Sequence, residues 1–154
     1  MTKKEFLSKD PKDTILLGQR LARYLKKGDI ICLLGGLGSG KTTLTKGIAQ
    51  GLKFNPNKVH SPSFVFLNIY DGRFPLYHFD LYRIKKPSEI FSIGYEEYLY
   101  GEGIAVIEWA QRLEGLWPRE YLEIDLSFKK ENERAIVIKG KGKRAQRILK
   151  EFAL

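Results

Sequence analysis

The sequence predicts an α/β protein: a central, mostly parallel sheet with an antiparallel hairpin inserted in it and helices on both faces. Three observations carry that expectation. An apolar run, Ile30 to Leu34, leads through a glycine-rich turn into a helical stretch from Lys41 to Leu52. Gly103-Ile104-Ala105-Val106-Ile107 is unbroken and apolar, as strands covered on both faces are. Two alternating segments, Phe64 to Tyr70 and Phe74 to Asp80, flank Asp71-Gly72, a two-residue hairpin signal.

In chain order, residues 1–9 offer a short edge strand (Lys4 to Leu7) or a frayed end. Asp10-Pro11 starts a helix, with aspartate as cap and proline at the first position. Apolar residues at Ile15, Leu16, Leu17, Leu21, Ala22, Tyr24 and Leu25 carry that helix toward Gly28. Asp29 to Leu34 is the first core strand. Leu44, Ile48, Ala49 and Leu52 give the next helix its buried face, and Gly51 is a stop signal. Asn55-Pro56-Asn57 marks a turn. After the hairpin, Pro87 to Ile93 and Tyr95 to Tyr100 are short helices separated by Gly94. Ala110 to Leu116 makes a helical turn or two before Pro118. Tyr121 to Phe128 and Ala135 to Lys139 are alternating strands joined by Lys129 to Glu133. Lys143 to Phe152 is a basic closing helix.

At 154 residues the chain, 1–154, is expected to be one domain, and no linker or repeat interrupts it. Its 43% hydrophobic residues exclude intrinsic disorder. No apolar run approaches the roughly 18 residues of a membrane span. The first ten residues lack the apolar region of a secretory signal, so a cytoplasmic location is expected. A single cysteine, Cys32, excludes a disulfide framework and reads as a small core residue. The net charge of +9 is uneven: residues 1–27 carry +5, residues 28–128 carry −2, and residues 129–154 carry +6. Basic ends suit an acidic partner or RNA, or are simply solvated faces.

Gly35 to Thr42 fits G-x-x-x-x-G-K-[ST] in full, with a strand before it and a helix after it. Such a loop turns backbone N–H groups toward phosphate, and the helix behind adds its positive dipole end. Lys41 would reach the β- and γ-phosphates and Thr42 would hold Mg²⁺. The expected class is therefore a P-loop NTPase. Its metal side needs an acid at the end of a nearby strand. Asp80 and Glu108 both end strands, and in open α/β sheets ligands lie beyond those ends. The residues alone do not say which binds metal and which orients water. Val59 to Phe64 sits where nucleotide hydrolases sense the γ-phosphate. Trp109 leans toward packing, and the lone His60 and His78 lack the partners of a metal site. The guanine-reading N-K-x-D is missing, because Asn57-Lys58 continues as Val59-His60. An ATPase acting on a partner is favoured. A small kinase using Arg83, Lys85 and Lys86 as a lid and a nucleotide-gated RNA-binding module are the alternatives.

The chain resembles the TsaE (formerly YjeE) family over most of its length. The matching residues are Thr14 with Gly18, Leu34 to Thr43, Ser61-Pro62-Ser63-Phe64, His78-Phe79-Asp80-Leu81-Tyr82-Arg83, Gly94 to Leu99, and Val106-Ile107-Glu108-Trp109. Members of that family are bacterial P-loop ATPases needed for threonylcarbamoyladenosine at position 37 of tRNAs. The resemblance implies that Gly38, Ser39, Gly40, Lys41, Thr42 and Thr43 wrap the phosphates of ATP. It implies Mg²⁺ on Thr42 and Glu108 with Asp80 near the metal, and nucleotide contacts from Thr14 and Arg134. It gives Ser61 to Ser63 the part of a switch and sets Trp109 close to the active site. It implies TsaD and TsaB as partners, with tRNA met through their complex, and weak ATPase activity without them. Two positions depart from the family: Gly36 stands where an acid is usual, and Ser63 where threonine is usual.

Overall fold

The computed structural model describes residues 3–59, 66–92 and 94–152. At its centre is β2 (Ile30–Leu34), followed through the glycine-rich loop by α2 (Lys41–Gly51). Before them come β1 (Lys3–Ser8) and α1 (Pro11–Ala22). After them come β3 (Leu67–Tyr70), β4 (Leu76–Asp80), α3 (Ser88–Phe91), α4 (Tyr95–Leu99) and β5 (Ile104–Glu108). The chain closes with β6 (Tyr121–Lys130), β7 (Glu133–Lys141) and α5 (Lys143–Glu151). Pro56–Lys58 and Ala110–Leu113 are single 3₁₀ turns.

Seven strands form one sheet in the order β1-β7-β6-β2-β5-β4-β3. The inner pairs β6·β2, β2·β5 and β5·β4 are parallel; the outer pairs β1·β7, β7·β6 and β4·β3 are antiparallel. This is the predicted α/β class. Each face of the sheet has its own core. One is built on Leu17, Leu21, Leu44, Ile48, Ile148 and Leu149, so α1, α2 and α5 cover that face. The other holds Ile90, Tyr95, Leu99 and Leu113 from the short helical pieces, with Cys32, Phe79 and Ile107 from the strands. β5 is buried at all five positions, as its unbroken apolar run predicts.

Three local expectations need correction. The first helix ends at Ala22, not near Gly28. From Arg23 to Leu25 the amide bonds tighten to the third carbonyl back, and Asp29 Oδ2 accepts the Lys26 amide at 2.6 Å. Leu25 stays buried outside the helix, which is why the apolar pattern overran the end. The Asp71-Gly72 pair is not a two-residue turn. Tyr70 pairs with Leu76, leaving a five-residue loop, 71–75. Gly72 is needed there because a Cβ would lie 2.6 Å from the Phe54 ring. Gly51 is the last helical residue, but the left-handed turn after it is taken by Lys53 (φ 72°). Its missing side chain serves packing, since a Cβ would meet that of Ala22 at 2.6 Å.

Candidate nucleotide site

The loop after β2 needs glycine for two separate reasons. Gly40, the cap of α2, has φ 101°, where side chains strain. Gly35 has φ 145°, and a Cβ there would stand 2.4 Å from the Leu126 carbonyl. Gly36 is under neither constraint: nothing lies within 4 Å of its Cβ position. The acid expected there is therefore not excluded by space.

Parallel register brings the two predicted acids together. Asp80 and Glu108 are direct partners across β4·β5, and Glu108 faces Leu33 of β2 on its other side. Both acids end their strands where the loop begins. The Thr42 hydroxyl donates to Glu108 Oε1 at 2.9 Å, a contact 66 residues apart in sequence. Glu108 is only 2% exposed. Asp80 is half-buried, and its Oδ1 accepts the Tyr82 amide at 3.0 Å.

Lys41 folds over the loop. Its Nζ donates to the carbonyls of Gly35 (2.8 Å) and Gly36 (2.6 Å) and to Ser39 Oγ (3.2 Å). The Trp109 ring centre lies 4.1 Å from the same ammonium, a cation–π contact. Burial lowers the Lys41 pKa, and the carboxylates of Glu108 and Asp80 oppose that shift. Trp109 adopts φ 59°, which a bulky residue seldom does, and it lines the cavity. The ring packs on the second core, as expected from the sequence, and also faces the cavity.

All ten predicted site residues line one cavity of about 630 Å³: Thr14, Gly38, Ser39, Gly40, Lys41, Thr42, Thr43, Asp80, Glu108 and Arg134. α1 brings Thr14, whose hydroxyl is 2.7 Å from that of Ser8 in β1. The start of β7 brings Arg134, whose Nε donates to the Gly38 carbonyl at 3.1 Å. The sensor loop, Ser61 to Ser63 with His60, lies outside the described residues.

Several contributors were not singled out from sequence. Asp10, Pro11 and Asn132 line the cavity, and Gln111 Nε2 donates to the Gly35 carbonyl at 3.2 Å. Thr45 lies 3.4 Å from Glu108 Oε2, one helical turn beyond Lys41, so helical spacing could have found it. His78 is fully buried and its Nε2 lies 2.5 Å from Glu108 Oε2. It stands two residues before Asp80, so strand alternation already put both on one face.

Comparisons with known proteins agree with this geometry. The family model described as threonylcarbamoyl adenosine biosynthesis protein TsaE matches residues 8–136. A tRNA threonylcarbamoyladenosine biosynthesis protein TsaE of Bacillus subtilis is 38% identical over 145 residues, 94% of this chain and 90% of that one. The protein of that name from Treponema pallidum is 36% identical over 132 residues, 86% and 97% of the two chains. A solved structure, that of Bacillus subtilis YdiB, superposes with a TM-score of 0.83 at 33% identity, covering 98% of this chain and 94% of its own. With the phosphate-binding loop, the paired acids and the matched span in agreement, this chain belongs to the TsaE family of tRNA threonylcarbamoyladenosine biosynthesis proteins.

Proposed function

We propose that the whole chain, 1–154, acts as one ATPase domain that binds ATP with Mg²⁺ and drives or resets a TsaB–TsaD complex forming threonylcarbamoyladenosine on tRNA. The observation that carries this reading is the 2.9 Å contact between Thr42 and Glu108 at the foot of the loop, with Asp80 next in register. A hydroxyl and two carboxylates are hard oxygen donors, the set that suits Mg²⁺ when phosphates and water complete its shell. Among the described residues no group of three His, Cys, Asp or Glu could hold a metal ion.

Bound Mg²⁺ would neutralise charge between the β- and γ-phosphates. The chain's own residues do the rest. Amides of Gly38 to Thr43 and the start of α2 cradle the phosphates. Lys41 exchanges the Gly35 and Gly36 carbonyls for phosphate oxygens. Thr42 and Glu108 hold the metal side, and Asp80 lies beside them to orient water or a metal-bound ligand. Thr14 and Arg134 border the nucleoside end. Slow hydrolysis alone and stimulation by partners belong to this reading. The tRNA is met through that complex. The expected location is the cytoplasm, and no described helix is long and apolar enough to cross a membrane.

ATPase activity measured with and without purified TsaB–TsaD and tRNA tests the reading. We expect slow turnover alone and a clear increase with the complex. Lys41→Ala and Glu108→Ala should each lower turnover about 100-fold or more while leaving the fold intact. Equal rates with and without partners, or normal tRNA modification in cells carrying only Lys41→Ala, would overturn it. Arg83 lines the same cavity, which keeps a small kinase as the second reading. Transfer of the γ-phosphate to a defined acceptor faster than to water would favour that reading instead.

A further inference from the structure

Glu108 is gripped at both carboxylate oxygens. Oε1 accepts from Thr42, and Oε2 lies 2.5 Å from His78 Nε2. The Thr45 hydroxyl also approaches Oε2, at 3.4 Å, but its proton serves the Lys41 carbonyl at 3.0 Å. His78 is therefore the principal donor to Oε2. A carboxylate only accepts, so Nε2 carries the proton. In a neutral imidazole Nδ1 then accepts, and the Tyr70 hydroxyl stands 3.1 Å from it. Asn68 Nδ2 donates to that same hydroxyl at 3.3 Å. Asn68 and His78 are direct partners across β3·β4. The line Asn68–Tyr70–His78–Glu108 thus crosses from the sheet edge to the end of β5.

We propose that His78 is a positioning residue for the metal site: it fixes the Glu108 carboxylate so that Oε1 faces Thr42 and the cation. This rests on the ATP–Mg²⁺ reading above. A glutamate carboxylate turns about three side-chain bonds, and two opposed donors remove that freedom. Hydrogen bonds behind a ligating group commonly set metal affinity in this way. A buried histidine needs partners for both ring nitrogens in any setting. What sets His78 apart is that one of those partners is the Glu108 carboxylate itself, on the sheet face that also carries Asp80.

Three variants test this: His78→Leu, which fills the space without a donor; His78→Gln, which keeps an N–H; and Tyr70→Phe, which strips the partner of Nδ1. Mn²⁺ uptake is read by electron paramagnetic resonance with a non-hydrolysable ATP analogue present. Analogue affinity is read separately in EDTA. We expect His78→Leu to raise the half-saturating Mn²⁺ about 10- to 100-fold, with EDTA affinity unchanged and His78→Gln recovering most of the loss. In the nucleotide-free protein, proton NMR should show a downfield imidazole N–H that is absent from both His78 variants. A folded His78→Leu protein with wild-type Mn²⁺ uptake overturns the proposal. If that variant does not fold, Tyr70→Phe decides: a raised Mn²⁺ requirement supports the proposal, and an unchanged one overturns it. Wild-type protein that takes up no Mn²⁺ with the analogue overturns the ATP–Mg²⁺ reading, and this proposal with it.

Discussion

Cys32 lies in the middle of β2 with no exposed surface, and burial pushes its thiol well above the ordinary 9.0, with the Glu123 charge adding to the shift. Tyr95 is pushed up for the same first reason. The sign follows from proton counting. Above about 9.0 an unfolded Cys32 loses its proton while a folded one keeps it, so the folded chain binds more protons. Stability should be insensitive to this thiol below that value and fall as pH rises beyond it. Thermal melts from pH 7 to 10.5 should show the decline, and Cys32→Ala should make it shallower. A thiol reagent at pH 8 should leave the native protein unlabelled and react on unfolding. Residue chemistry was legible where one residue type has few uses. A lone cysteine in an apolar run reads as core, and the motif alone puts Lys41 at the loop, where its ammonium meets the Gly35 and Gly36 carbonyls. His78 was not legible, because its partner Glu108 is 30 residues away and strand pairing alone brings them together.

The helices α1 and α2 meet backbone to backbone. A Cβ on Gly18 would lie 2.8 Å from Leu44 O and Ile48 N, and one on Gly47 would lie 2.3 Å from the Ile15 carbonyl. That close approach lets α1 bring Thr14 to the loop. Gly47→Ala tests it. Helix propensity favours alanine by about 1 kcal/mol, but the overlap is with backbone and cannot be relieved by a side-chain turn. We expect a net loss of about 2 kcal/mol or more in urea unfolding, with weaker nucleotide binding. Gly36→Asp is the contrast, and its stability should change by less than about 0.5 kcal/mol. Element types followed from periodicity, and the Asp10 cap of α1 was read correctly: its carboxylate accepts the Asp13 amide at 2.9 Å. Ends were read less well, because Gly51 and Gly72 answer to neighbours in space, Ala22 and Phe54, and not to turn geometry.

Across the whole molecule the two basic ends become one region. β1 pairs with β7, α5 follows β7, and Lys4 Nζ donates to the Phe152 carbonyl. The +5 and +6 segments therefore share one end of the sheet, on the β1-β7-β6 side. Such a region should add weak, sequence-independent phosphate contacts to the tRNA that the complex holds. We expect weak tRNA affinity of the isolated chain to fall steeply, about tenfold or more, between 50 and 200 mM salt. Charge reversal at Arg147 and Lys150, both exposed and one turn apart on α5, should lower the slope in filter binding. A flat salt dependence would remove tRNA from that surface and with it the RNA-binding alternative. Local order along the chain already specified the α/β class, the phosphate loop and the two acids. Each rests on neighbours in sequence: an apolar run, a glycine spacing, a strand end. The folded sheet added the order of the strands, the join between the basic ends, the Trp109 ring over Lys41 and the His78 grip on Glu108. Those are contacts between segments far apart in the chain, and only the pairing of strands sets the distances on which hydrogen bonds and charge depend.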